Sequence, residues 1–237
     1  MNRPILYSYP ELCGVADNNP FGLKVYAFMR LCGIPFEHRH ILDTKMAPRG
    51  QLPYLIDGDK SVGDSDAIIA YLKSRYGLSI DEGLSDAQRN LDYLLRRTLD
   101  DLYWSMSYSR WKDERYWPSF RHLVLSTHPG ITESDMAAAH DYNEQRYYYQ
   151  GIGRYEPEQV YERGIADLRV VSDLLGQGPF MFGASPRSID AAIYGFVANI
   201  YFYDIRTPLR QFVLDRPNLV NHCESMHARI SGPSDHA

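Results

Sequence analysis

The run Gln51 to Leu72 constrains the fold more than any other part of the chain. Leu52, Tyr54 and Ile56 alternate with other residues, as in a strand, and Pro53 stands where that strand begins, a position that tolerates its missing N–H. Asp57-Gly58-Asp59-Lys60 is hairpin turn chemistry, and Ser61-Val62 starts a short return strand. Asp64-Ser65 then marks a helix start, ahead of Ala67, Ile68, Ile69, Tyr71 and Leu72 at helical spacing. The Leu52–Pro53 bond is a candidate for the cis form. At such a strand entry the N–H and C=O of Leu52 face outward, where an extended peptide can pair with them as an added strand. Ser65 offers a hydroxyl and free N–H groups to a carboxylate.

The preceding residues supply the other half of a small sheet. Pro4 to Tyr9 reads as a first strand closed by Pro10. Asn19-Pro20 is a strong helix start, because Asn caps well and Pro is favoured at the first helical position. Leu23, Val25, Tyr26, Phe28, Met29 and Leu31 follow as that helix, and Gly33 and Pro35 stop it. Phe36 to Leu42 is the second strand, so the segment is a βαβ unit with a parallel pair and a right-handed crossover. The first 76 residues therefore order as β-α-β, a loop, then β-β-α, a thioredoxin-like arrangement.

Residues 77–85 read as a linker, and no convincing strand follows in 86–237. Helices are expected over Asn90 to Lys112, Thr132 to Tyr149, Pro157 to Leu175 and Ser188 to Tyr203, with short helices after Pro208 and Pro217 and a frayed end from Ser231 to Ala237. Ser188 to Tyr203 is almost wholly apolar, the mark of a helix buried on all sides.

Leu-Pro-Tyr followed by Asp-Ser and an apolar helix resembles the thioredoxin-like half of glutathione transferases. The run Arg187-Ser188-Ile189-Asp190 resembles the box that opens the buried helix of their helical half, with Arg where Ser or Thr belongs. Either Ser188 shifts the cap, or Asp190 answers Arg187 and the backbone. Gly151-Ile152-Gly153-Arg154 and the run Gly183 to Gly195 look closest to the failed-axon-connections and metaxin-like branch. The resemblance implies an α/β thioredoxin-like domain followed by an all-α domain.

It also implies a glutathione site. Leu52 (backbone), Pro53, Asp64 and Ser65 would hold the tripeptide, with Asp64 on its α-ammonium and Ser65 on its α-carboxylate. Lys45 and Gln51 are further candidates for its glycine end. The sulfur needs a donor that stabilises its thiolate, and the first helix adds about half a positive charge there. Family members place Tyr, Ser or Cys at this point; here the residue before Pro20 is Asn19. Asn19 can donate an amide N–H, or it can be a plain helix cap. Asn18 and Tyr9 are alternative donors, and Cys13 is the rival nucleophile, though it has no Cys-x-x-Cys partner. Cys32 and Cys223 read as structural.

A second substrate, a small hydrophobic electrophile, would lie between the halves. Tyr103, Trp104, Tyr108 and Trp111 on the long helix are its candidate lining, with Arg110 as an anion anchor; the alternative is that these rings are core. The chain carries 19 tyrosines, concentrated between Tyr93 and Tyr161, so some of Tyr147-Tyr148-Tyr149 would serve a subunit contact in a homodimer.

Bulk composition sets outer limits. A net charge of −5 argues against a nucleic-acid partner. No run of about 20 apolar residues is present for a membrane span. The first residues lack the apolar core of a signal peptide, and three unpatterned cysteines fit a reducing cytoplasm. His38 and His40 share a strand face, but no further ligand is spaced to make a metal site. Two functional classes stay open: a glutathione transferase (or a glutathione-dependent dehalogenase, isomerase or reductase), and a non-catalytic binding or adaptor module that keeps the fold.

Overall fold

Asn19 begins the architecture as the sequence predicts: its Oδ1 accepts the Phe21 N–H at 3.0 Å, and helix α1, Pro20–Leu31, follows. This computed structural model describes residues 3–232. Strand β1 (Ile5–Ser8) precedes α1; β2 (Glu37–His40), β3 (Tyr54–Asp57), β4 (Lys60–Gly63) and α2 (Ser65–Tyr76) follow it. The sheet order is β2-β1-β3-β4, with β1 parallel to β2 and the other pairings antiparallel. Register places Tyr7 opposite Tyr54, whose rings stack with centroids 4.5 Å apart. The unit is thioredoxin-like, and the Leu52–Pro53 bond is cis. Strands are shorter than expected: β2 begins after Phe36 and ends before Ile41, and β3 starts at Tyr54 rather than Pro53.

The helical part comprises α3 (Asp86–Trp111), α4 (Trp117–Thr127), α5 (Glu133–Gln150), a 3-10 turn (Ile152–Arg154), α6 (Pro157–Leu175), α7 (Ser188–Tyr201), α8 (Pro208–Leu214) and α9 (Pro217–Ser231). Helix α3 starts four residues before the expected Asn90, because Ser85 and Gln88 form a reciprocal capping box. Helix α4 was not expected: Tyr116-Trp117-Pro118 has no side-chain cap, and its buried face is short, with Phe120 and Val124 at its centre. Helix α7 ends at Tyr201, short of Tyr203, whose ring turns back over Arg110. Ser231 closes α9, and residues 233–237 of the expected frayed end lie outside the described residues.

Helix α7 is the axis on which the halves meet. All of it from Ser188 to Ile200 is buried, and α1 crosses it at Gly195, where a Cβ would stand 2.6 Å from the Pro20 carbonyl oxygen. Asp190 settles the question of the cap. Its Oδ2 accepts the Arg187 N–H at 2.7 Å, and its Oδ1 accepts the Met181 N–H at 2.8 Å and lies 3.0 Å from His222 Nε2. Ser188 instead binds Asp81 through both N–H (2.9 Å) and hydroxyl (2.7 Å), and Arg187 donates to the Ile80 and Glu82 carbonyls. The Arg in the box therefore ties α7 to the segment between the halves. A second tie is ionic: buried Lys24 of α1 and Arg96 and Arg97 of α3 all converge on Asp66 of α2, at 2.6, 3.1 and 3.1 Å.

Among the described residues no helix is long and apolar enough to cross a membrane. The three cysteines are free.

Candidate functional site

Two chain segments flank β3: the loop that enters it, and α2, whose start follows β4. Leu52 and Pro53 are buried, and among the described residues no hydrogen bond reaches the N–H or C=O of Leu52. The Leu52 side chain packs with Ala47 and Tyr54, and Tyr7 and Tyr9 lean on this cluster.

Asp64 holds a backbone conformation that L-residues rarely adopt, φ 80° and ψ 129°. Strain of this kind concentrates at ligand clamps. Its Oδ1 caps α2, accepting the N–H groups of Asp66 (3.0 Å) and Ala67 (3.1 Å), and its Oδ2 faces Arg49 Nη1 at 3.7 Å. Ser65, the first residue of α2, is 5% exposed, and its hydroxyl has no hydrogen bond among the described residues. Asp64 therefore serves the helix as its cap, while the Ser65 hydroxyl is left unbonded among the described residues. Arg49 was not singled out in the sequence; its partner lies 15 positions on, across the hairpin. Gln51 is exposed nearby, and Lys45 stretches into solvent with Asp43 as its only neighbouring charge at 4.0 Å.

At α1 the Asn19 oxygen is spent on the cap, while its Nδ2 amide donates to nothing among the described residues. The Asn19 N–H donates to Oδ1 of Asp17 at 2.7 Å. Asp17 is wholly buried and its Oδ2 lacks a partner. Burial lifts this carboxyl well above the usual range, against the opposing pull of the Asn19 N–H. Tyr9 lies between this point and the helical half. Burial first, then Tyr103 and Asp17, push its phenol up to about 12, so it keeps its proton at neutral pH and has an O–H to donate.

Tyr103 and Trp104 come together with Phe21 of α1 and with Arg146 of α5: the Phe21 and Tyr103 rings are 5.2 Å apart, and the Arg146 guanidinium lies 5.9 Å from Tyr103 and 5.1 Å from Trp104. The other two ring candidates turn elsewhere. Tyr108 is buried edge-on against Tyr147 and Tyr161, and Trp111 packs on Trp117 and Phe120 of α4. Arg110 is no free anion anchor. It donates to the carbonyls of Asn18 and Asn199 and lies over the Tyr203 ring at 4.7 Å. Arg146 escaped the sequence reading, although its i−4 neighbour Tyr142 and the adjacent Tyr147 are the aromatic signal that marks the same stretch.

Cys13 has φ 51° in a tight loop closed by a Leu12–Val15 bridge, and it borders a cavity of about 10 Å³ shared with Arg110 and Tyr203. His38 is bound to Ser8, Nε2 to Oγ 2.7 Å, and burial followed by the neighbouring His40 lowers its imidazole to about 4, so the ring is neutral.

Residues 20–116 match the glutathione S-transferase N-terminal domain and residues 164–226 the glutathione S-transferase C-terminal domain. The isoprene-epoxide–glutathione S-transferase of Rhodococcus sp. (strain AD45) is 32% identical over 92% of this chain and 95% of its own length. The chain belongs to the glutathione S-transferase family. Other family relatives carry different names. Failed axon connections of Drosophila melanogaster is 28% identical over 93% of this chain, which spans 56% of that protein, and human Metaxin-2 is 24% identical over 91% of this chain and 84% of its own length. Among solved structures, the transferase GSTFuA3 of Phanerochaete chrysosporium superposes with a TM-score of 0.65 at 16% identity, covering 98% of this chain and 99% of its own. A Ceriporiopsis subvermispora transferase in complex with glutathione gives 0.61 at 16%, with the same coverage. These two likenesses concern the fold.

Proposed function

We propose that the chain binds glutathione and conjugates it to a small electrophile. The tripeptide lies along Leu52, its backbone pairing with the unbonded N–H and C=O there. Its γ-glutamyl end meets the start of α2, where the free Ser65 hydroxyl and helix N–H groups receive the carboxylate. Asp64 faces the α-ammonium and shares its Oδ2 between that charge and Arg49. The residues present fit this group: the unengaged donors suit a carboxylate, and the carboxylate of Asp64 suits an ammonium.

The sulfur then stands at the start of α1. The helix end and the spare Nδ2 amide of Asn19 favour the thiolate, and Tyr9 supplies a phenol that stays protonated. Conjugation follows from there. The S–C bond forms, the leaving bond of the electrophile breaks with its electron pair, and an oxygen released in this way takes a proton from Tyr9 or water. The relative named for isoprene epoxide, matched over nearly its whole length, supports an epoxide as the acceptor class.

The observation that carries the reading is Ser65: a 5%-exposed hydroxyl at a helix start with no protein partner, beside the strained Asp64. Calorimetric titration with glutathione, against Ser65→Ala, tests it. Binding in the millimolar range or tighter, weakened at least tenfold by the substitution, is expected; no binding to the parent chain ends the proposal.

A second reading, a non-catalytic module, is favoured by the Asn in place of a hydroxyl or thiol and by the similarity to Failed axon connections and Metaxin-2. Screening epoxides, aryl halides and disulfides separates the readings. Adduct formation supports the transferase, disulfide turnover points to Cys13, and silence with retained binding supports the module.

A further inference from the structure

We propose that Arg146 makes the acceptor site selective for electrophiles that carry a carboxylate. This rests on the transferase reading above, and puts the acceptor beside Tyr9, Phe21 and Tyr103, which lie together at the start of α1.

The guanidinium is half-buried and ringed by Tyr103, Trp104 and Tyr142, at 5.9, 5.1 and 5.8 Å from the ring centroids. Among the described residues it pairs with no carboxylate. Glu144, two residues earlier, is taken by Lys112 at 2.6 Å. Among the described residues Nη1 alone donates, to Asn143 Oδ1 at 2.9 Å and at 3.5 Å to the Tyr103 hydroxyl, and Nε and Nη2 meet no acceptor.

Taking a guanidinium half out of water without an acidic partner is costly, and aromatic faces offset only part of that cost. Rings that stack on its plane leave its edge open, and that edge presents two parallel N–H groups, the fork that a carboxylate fits. The position is also right for an acceptor. Tyr103, against which Arg146 lies, packs on Phe21, whose N–H donates to the capping oxygen of Asn19. A carboxylate held here would set the rest of a small molecule toward the start of α1. Other arginines of the chain are held by an acid, as Arg96 and Arg115 are, or by two backbone carbonyls, as Arg110 and Arg187 are; Arg146 has neither among the described residues.

The test uses phenylacetate and its neutral isostere phenylacetamide as probes, titrated by calorimetry into the glutathione-saturated protein. The chain should bind phenylacetate at least tenfold more tightly than the amide. Arg146→Met should abolish the preference while leaving glutathione affinity within twofold, and Arg146→Lys, which keeps charge but not the fork, should retain part of it. Circular dichroism confirms that both variants fold, and Arg146→Lys carries the test if Arg146→Met does not. Equal binding of the two probes by the parent chain, or a preference that persists in a folded Arg146→Met variant, overturns the proposal. If glutathione itself fails to bind, the transferase reading falls, and the same titration without it still decides the role of Arg146.

Discussion

The N–H of Asn19 donates to Oδ1 of Asp17 at 2.7 Å, so a wholly buried carboxyl fixes the residue that opens α1. The Asn19 oxygen goes to the helix, and its amide stays unbonded among the described residues. Asp17 also closes the space behind the helix, since a Cβ on Gly22 would fall 1.6 Å from its Oδ2.

Replacing Asn19 separates the two jobs. Asn19→Ala should cost about 1 kcal/mol through the lost cap, read by urea unfolding. Asn19→Ser should restore the cap. The ultraviolet absorbance of bound glutathione thiolate, followed against pH, reads the second job: its midpoint should rise in the Ala variant and recover in Ser. A midpoint unmoved in both would leave Asn19 as a cap alone.

Asp17 should make stability depend on pH. Its folded-state pKa is raised well above 3.8, so the native chain holds a proton that the unfolded chain releases near that value. The stabilisation is complete below the unfolded pKa and is lost as pH rises through the folded one. Asp17→Asn keeps an acceptor for Asn19 and cannot ionise. Its unfolding midpoint should therefore fall less than that of the parent as pH rises from the ordinary carboxylate range through the raised folded-state pKa of Asp17. Parallel profiles would show that Asp17 ionises in the native chain much as it does when unfolded.

Gly195→Ala probes the α1–α7 crossing. The added methyl meets the Pro20 carbonyl oxygen at 2.6 Å and the Lys24 nitrogen at 2.9 Å, backbone that cannot yield without moving α1. A loss of about 1–3 kcal/mol is expected. Because the moved helix carries Asn19, glutathione affinity should drop together with stability, and calorimetry on the folded variant measures this.

Asp190→Ala strands three buried groups: the N–H of Met181, the N–H of Arg187 and His222 Nε2. At about 1–3 kcal/mol for each stranded group, a loss of about 3 kcal/mol or more is expected in denaturant unfolding. Asp190→Asn, which keeps an acceptor, should cost clearly less.

Much of this was legible in the chain. The strand–turn–strand–helix run around Pro53 and the Asn-Pro helix start depend on neighbours a few positions apart, and local chemistry of that kind is written in the residues themselves. What escaped depends on distant ones. Nothing local says that Arg110 will reach the carbonyls of Asn18 and Asn199, or that Tyr147 of α5 will pack on Tyr108 and α4 on Trp111, turning two of four candidate rings into core. Helix α4 starts without a side-chain cap, so the usual start signal is missing from its sequence. Arg146 draws its interest from the missing acid, and absence of a partner has no trace in a sequence.

The convergence of Lys24, Arg96 and Arg97 on Asp66 has a mechanical side. Asp66 directly follows Ser65, so three cations from two helices brace the peptide unit next to the hydroxyl on which glutathione recognition would depend. A molecule wedged deep enough to pry the helical half from the sheet would pull on that brace, and the grip on the tripeptide would slacken as the cleft widened.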